Sequence, residues 1–420
     1  MPDPLPVKRE SIDDRAGAGA IVGTAGATAS PDSAEAPVMQ FVPVEGVIDL
    51  GWGHPDPSLL PVEALRDAAA RMFDRFGYRA LTYGPSEGPG PLRAWICERL
   101  GLVDGRAPAL DEVALTAGNS HGIDQAATLF AAPGDVVLVE DPTYHLAVRI
   151  LRDHPVELAA VPCDEGGLRV DALADAVGRL RRAGRRLAFV YTIPTFHNPT
   201  GRSLVPDRRQ ALVDLAAAEG LLVLEDDAYR ELSYEGPPPP SLWSIAEQGT
   251  VIRLGSFSKS LAPGLRVGYL TADAALAARV VRSGVLDSGG GISQFAALVT
   301  GELARSGAYA SHVAMLIDGY RARRDALLTA LSQALPAGSA WDVPAGGYFA
   351  WIRLPDGVHP RALLDAARAR GAAFIPGDVF HLDRPATSRT IRVSFSRYPP
   401  DALREAARRL GEAARDESRS

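Results

Sequence analysis

Lysine is almost missing from this chain. Lysine and arginine together number 44, and only two of these, Lys8 and Lys259, are lysines. A guanidinium serves wherever a fixed positive charge is wanted, but it does not give up its proton, whereas an amine can. A GC-rich genome would explain the scarcity of lysine, but not its survival at position 259, inside GSFSKSLAPGLR (Gly255–Arg266). Cysteine is as scarce: Cys97 and Cys163 have neither metal-ligand nor redox spacing, so a reduced, cytoplasmic setting is the simple expectation. No apolar run is long enough to span a bilayer, and the opening MPDPLPVKRESIDD is too polar for a signal peptide. No basic block occurs and the formal net charge is -7, which argues against nucleic acid as a partner.

What is present is enough for a large core: 420 residues with 46% hydrophobic content imply two domains, or one large domain with an appendage. Residues 1–40, rich in Ala, Gly, Ser, Pro and Asp, read as a mobile tail. Ordered sequence begins near VIDLGWGHPDPSLLP (Val47–Pro61). From about Leu115 short apolar runs alternate with amphipathic segments. The runs lie in DVVLVEDPTY, RLAFVYTIPTFHNPTG, GLLVLEDDAY and TVIRLGSFSK. Without polar alternation they suit strands buried on both faces of a mainly parallel sheet. The segments between them, VDALADAVGRLRRAG and PDRRQALVDLAAAEG, end in glycine as helices often do. Near residue 340 a second pattern starts, with strands in GGYFAWIRL and TIRVSFSRY and helices in RALLDAARARG and DALREAARRLGEAAR. A long helix over about Tyr309–Leu335 joins the two regions.

Polar residues gather just after each apolar run: Asp141 and Tyr144, then Asn198, then Asp226 and Tyr229, then Ser256, Ser258 and Lys259. Ligand crevices in open α/β sheets lie outside the carboxyl ends of the strands, so these residues can converge although distant in sequence. Taken singly, each is an ordinary loop polar or helix cap; four strand ends together point to a site. The group offers one amine, one carboxylate, aromatic rings, an amide, small hydroxyls and Arg266. TAGNSHG (Thr116–Gly122) adds a turn able to aim backbone N–H groups at an anion. Pyridoxal 5'-phosphate (PLP) needs this set. Its aldehyde takes an amine, its ring nitrogen a carboxylate, and its phosphate hydroxyls, amides and a cation.

These residues resemble the fold-type I PLP-dependent aminotransferases of the class I/II family, and are most similar to the branch of 2-aminoadipate and kynurenine aminotransferases. The resemblance rests on SFSKSLAPGLRVGY, PTFHNPTG, EDDAY and LTYGPSEGPGPLR and runs from about residue 45 to 415. It implies an aspartate aminotransferase-like α/β fold. A large PLP-binding domain (86–325) carries a mostly parallel seven-stranded sheet between helices. A smaller α+β domain is made from the C-terminal part (326–420), and residues 41–85 supply an N-terminal arm and part of that smaller domain. It implies that Lys259 forms the internal aldimine and moves the proton between Cα and C4', that Asp226 pairs with the ring nitrogen, and that Asn198 and Tyr229 face the phenolic oxygen. Tyr144 stacks on the ring, while Gly118, Asn119, Ser120, Ser256, Ser258 and Arg266 hold the phosphate. Tyr83 reaches the phosphate of a neighbouring subunit, which makes the protein a homodimer. Arg392 grips the substrate carboxylate, with Gly53 adding a backbone contact and Trp52 beside it. No metal is implied.

The resulting expectation is transamination between an L-amino acid and a 2-oxo acid through pyridoxamine phosphate. Because the fold does not fix the chemistry, β- or γ-elimination or replacement, decarboxylation and oxidation stand as alternatives. A PLP-sensing regulator is a further one, disfavoured by the short, Ala/Gly-rich stretch before residue 45 and the acidic charge. His197, Trp52 and the stretch DSGGGISQ (Asp287–Gln294) depart from the branch's usual residues, which puts the substrate specificity and even the reaction type in question.

Overall fold

Apolar runs lacking polar alternation do form the strands of a central sheet. The computed structural model of the chain describes residues 39–40, 44–247, 249–384 and 388–417. All of the expected tail except Met39 and Gln40 lies outside these. In the first part of the chain the elements are β1 (Ile48–Asp49), α1 (Val62–Phe76), α2 (Gly90–Asp104), β2 (Val113–Thr116), α3 (Asn119–Phe130), β3 (Val136–Asp141) and α4 (His145–Arg152). Then come β4 (Glu157–Asp164), β5 (Gly167–Leu168), α5 (Val170–Arg182), β6 (Leu187–Thr192), α6 (Pro206–Glu219), β7 (Leu222–Asp226) and α7 (Leu242–Ile245). They are followed by β8 (Val251–Ser256), β9 (Gly268–Thr271), α8 (Ala274–Val281), α9 (Gly284–Asp287), α10 (Gln294–Arg305) and α11 (Ala308–Ala334). The C-terminal part adds β10 (Phe349–Arg353), α12 (Pro360–Arg368), β11 (Ala372–Ala373), β12 (Ile375–Pro376), β13 (Thr390–Ser394) and α13 (Pro400–Glu417).

The main sheet runs β2-β9-β8-β7-β6-β3-β4-β5. Pairing is parallel from β4 through β3, β6 and β7 to β8. β9 is antiparallel to both β8 and β2. The seven longer strands are the expected mostly parallel sheet; β5 is a two-residue antiparallel extension of its edge.

Successive side chains of a strand point to opposite faces. Val137, Val139, Phe189, Tyr191, Leu224, Ile252 and Leu254 pack on one face with Ile123 and Ala127 of α3. Leu138, Val190, Val223 and Val251 pack on the other with Leu173 of α5 and Leu212 of α6. Both faces are thus covered, each fully buried aliphatic contributing roughly 1.5–3 kcal/mol. Apolar burial therefore drives the strands inward, and only the residues at their carboxyl ends are released to face a ligand.

The second region is built on the antiparallel sheet β10-β13-β12. β1 pairs in parallel with β11, and Leu50 continues the contact: its N–H donates to Ala373 O at 2.8 Å and its carbonyl accepts from Ser394 N at 2.7 Å. These bonds hold the next loop, Gly51–His54, against the C-terminal sheet.

The run that forms β8 carries a buried cation. Arg253 of β8 is 2% exposed and pairs with Asp104 at 2.5 Å and with Asp227 at 2.9 Å, while Arg230 pairs with Asp104 at 2.5 Å. Removing one member of a buried ion cluster strands the others without compensation. Arg253→Met is expected to cost about 3–5 kcal/mol of stability, read from urea unfolding against the parent protein. A change within about 0.5 kcal/mol, as at an ordinary surface position, would contradict this account of the cluster.

Candidate active site

Asp226 is the last residue of β7 and continues the face that carries Leu224. Tyr191, on the same face of the neighbouring β6, donates its hydroxyl to Asp226 Oδ2 at 2.8 Å. Asn119, at the start of α3, donates Nδ2 to Asp226 Oδ1 at 2.6 Å and to Leu254 O at 3.2 Å. Burial raises the Asp226 pKa, and these two donors oppose that rise.

Lys259 follows the end of β8. Its Nζ donates to Gly53 O at 2.9 Å and lies 5.9 Å from the Tyr229 ring centre and 5.6 Å from that of Tyr348. Tyr348 in turn donates its hydroxyl to the Lys259 carbonyl at 3.0 Å. Burial, helped by the charges of Arg392 and Arg266, pulls the lysine pKa down to about 8; Asp226 acts the other way. A Cβ at Gly53 would sit 2.5 Å from Phe349 Cζ, so any larger residue there would displace that ring.

Arg392 of β13 donates Nη1 to Asn198 Oδ1 at 2.7 Å and Nη2 to Gly51 O. Its guanidinium lies 4.0 Å from the Phe349 ring centre and 4.7 Å from that of Phe380. Burial lowers its pKa to about 10, and its Nε is buried without a hydrogen-bond partner. Asn198 also hydrogen-bonds Tyr229, whose own pKa is raised by burial. Tyr144 is half-buried at the start of α4, its pKa pushed up to about 12 by burial and by Asp226.

The start of α3 forms a cradle for an anion. Gly118 precedes the helix with φ 86° and ψ 170°, a conformation close to glycine-only, and no side chain caps the first turn. A Cβ on Gly118 would meet Arg266 Nη2 at 2.6 Å, so the guanidinium lies directly over this turn. Arg266 Nη2 donates to Ala117 O at 2.7 Å. Ser256 Oγ accepts from Ser258 N at 3.0 Å, and Ser120 is exposed in the first turn. Backbone amides, hydroxyls and a cation together suit a phosphate. With a low-pKa amine, a buried carboxylate and flanking rings, the residues fit PLP.

The structure therefore brings together Lys259, Asp226, Tyr229, Asn198, Arg392 and Gly53, with Tyr144 near Asp226 and Gly118 beneath Arg266. The side-chain amide of Asn119 turns inward to Asp226, leaving its backbone N–H at the cradle. Trp52 packs edge-to-face on His54 with centroids 5.6 Å apart, beside Gly53. Tyr83 stays outside the buried group: it is 86% exposed and lies over Gly289 of the glycine-rich loop, where a Cβ would meet its Cδ1 at 2.7 Å. His197 faces Glu140 Oε2 at 3.1 Å and Thr200 Oγ1 at 2.9 Å, so it braces the turn carrying Asn198. Sequence reasoning missed Tyr191, Tyr348 and His54. The two tyrosines lie within apolar runs and read as core. His54, whose pKa is lowered to about 4 by burial and then by Lys259, had a signal in its place next to Gly53.

Residues 45–410 match the family Aminotransferase class I and II. The chain is 32% identical to aromatic-amino-acid aminotransferase 1 of Thermococcus litoralis, over 90% of this chain and 91% of the relative. It is 33% identical to 2-aminoadipate transaminase of Thermus thermophilus, over 88% and 90%. Among solved structures it is similar to the kynurenine aminotransferase of Pyrococcus horikoshii in complex with PMP, KYN and KYA. That likeness has a TM-score of 0.83 and 33% identity, covering 89% of this chain and 91% of that one. This chain belongs to the class I and II aminotransferases and is a PLP-dependent transferase.

Proposed function

We propose that the enzyme transfers the amino group of an L-amino acid to a 2-oxo acid, with Lys259 as the residue that bonds PLP and moves the reacting proton. The observation that carries this reading is the setting of the Lys259 amine. It is held on Gly53 O, flanked by Tyr229 and Tyr348, and brought to a pKa of about 8. When bound, PLP supplies a sink for the electron pair left at the substrate Cα. Lys259 in its neutral form would accept the substrate Cα proton at Nζ and hold it there for return to the substrate–cofactor pair. Asp226 would pair with the ring nitrogen, Tyr144 would stack on the ring, and Asn198 and Tyr229 would donate to the phenolic oxygen. Ser256, Ser258, Arg266 and the N–H groups after Gly118 would hold the phosphate. Arg392, already engaged with Asn198 and Gly51, binds the substrate carboxylate as a fork, with Gly53 and Trp52 on the substrate side.

The reading extends to a homodimer in which Tyr83 serves the partner's site. Support comes from a run of exposed apolar side chains: Tyr78 at 78%, Leu81 at 69% and Tyr83 at 86%, with exposed Phe73 packed on exposed Phe295 nearby. Such patches mark association surfaces. We further propose that residues 86–325 form the PLP-binding domain, with 41–85 and 326–420 contributing the arm and the smaller domain. The pairing of β1 with β11 supports that grouping. The free thiols of Cys97 and Cys163 support a reducing, cytoplasmic setting.

An amino-donor screen is expected to yield a 2-oxo acid and pyridoxamine phosphate; ammonia, carbon dioxide or peroxide without pyridoxamine phosphate would point to an alternative reaction. In Lys259→Ala, turnover is expected to fall at least about a thousandfold, with the visible absorbance of the lysine-bound cofactor lost while PLP still binds. An amine is nucleophilic only when neutral. Capture of PLP by the cofactor-free protein should therefore quicken as pH rises through about 8. Arg392→Met removes a charge that lowers the lysine pKa, so its midpoint should lie higher; an unmoved midpoint counts against the coupling. Finally, mixing Tyr83→Ala with Lys259→Ala should restore activity that neither variant has alone, because one site of each mixed dimer is then complete. No recovery on mixing would place Tyr83 in its own chain's site.

A further inference from the structure

Asp226 cannot hold a negative charge in a dry site unaided. An ionised carboxylate taken out of water needs donors, or it takes up a proton instead. Two donors are in place before any ligand arrives, one on each oxygen: Asn119 Nδ2 at 2.6 Å and Tyr191 OH at 2.8 Å. Tyr191 is 0% exposed. A buried phenol as an apolar filler gains nothing over phenylalanine, whereas its hydroxyl here ends on the carboxylate. Its place is set by the sheet: Phe189 and Tyr191 share one face of β6, Leu224 and Asp226 the same face of β7, and Tyr191 is in register with Leu224. The hydroxyl thus points toward the carboxyl end of the next strand.

The other groups around Asp226 differ in sign. Asp227 favours protonation of Asp226, the backbone N–H of Ala228 opposes it, and Tyr144 and Lys259 interact with it through charge. Tyr191 and Asn119 are the side chains that hydrogen-bond the charged form.

We propose that Tyr191, with Asn119, is a positioning residue for the reaction: the two side chains hold Asp226 oriented and ionised so that the nitrogen of the bound PLP ring stays protonated. This rests on the reading that Asp226 faces that nitrogen. A carboxylate that loses a donor becomes more basic and draws the shared proton from the ring. The ring then becomes neutral and a weaker electron sink. The Asn119 side chain thereby has a role beside the phosphate contact expected of that residue.

The test uses the holoenzyme loaded with PLP isotope-labelled at the ring nitrogen. In Tyr191→Phe, the ring-nitrogen resonance is expected to move toward the position of a neutral pyridine. kcat is expected to fall about tenfold, the loss of roughly one hydrogen bond to a charged group. KM for the amino donor should change little, because Tyr191 does not face it. Asn119→Ala should move the resonance in the same direction, and it carries the test if Tyr191→Phe fails to fold. Asp226→Asn separates the two claims. If it shifts the resonance and neither donor variant does, the role given to Tyr191 and Asn119 is overturned while Asp226 keeps its own. If Asp226→Asn also leaves the resonance in place, the pairing of Asp226 with the ring nitrogen is itself wrong.

Discussion

A charge kept in a dry interior is the constraint on which this site depends. Asp226 lies at the end of a strand whose Val223 and Leu224 are buried on opposite faces of the sheet, and its carboxylate is held there by Asn119 and Tyr191. The sheet supplies both conditions. Apolar packing on its two faces excludes water from the region, and the parallel arrangement of β3, β6, β7 and β8 brings their carboxyl ends to one edge. Asp226, Ser256 and Lys259 are thus neighbours through topology.

The same desolvation acts on Lys259 with the opposite consequence. Burial disfavours the charged form of either group, raising the carboxyl pKa and lowering that of the amine. For Asp226 the donors offset this. For Lys259 the neighbouring cations Arg392 and Arg266 add to it. Relative to an ordinary amine at 10.5, a pKa of about 8 raises the neutral fraction at pH 7 roughly 300-fold. The Gly51–His54 loop is the physical link to the second region. Arg392 holds Gly51 O, Lys259 holds Gly53 O, and Ser396 donates to His54 O at 2.7 Å. A chain segment near residue 50 is thereby fixed by groups more than 200 positions away.

Much of this was legible in the sequence because it follows from local patterns. Apolar runs without alternation mark doubly buried strands, and polar residues at their ends mark the crevice; β3, β6, β7 and β8 and the residues after them follow that rule. The long helix expected over Tyr309–Leu335 appears as α11, Ala308–Ala334. What stayed hidden depends on side-chain pairs between distant segments. Tyr191 reads as core in FVYT because nothing local says its hydroxyl meets Asp226. Asn119 reads as a phosphate contact because the inward turn of its amide depends on β7 and β8. Arg253 within VIRLG did carry a signal, a charge inside an apolar run, but its partners Asp104 and Asp227 are set by tertiary packing.

The central claim is that this chain uses Lys259, and not another amine, to bond its cofactor. The scarcity of lysine makes a direct test clean, since Lys8 is the only other lysine in the sequence. Borohydride reduction of the PLP-loaded protein followed by peptide mass mapping should place the reduced cofactor on the peptide containing Lys259. An adduct on Lys8 or the N-terminal amine alone, or no adduct at all from a catalytically active protein, would contradict the account.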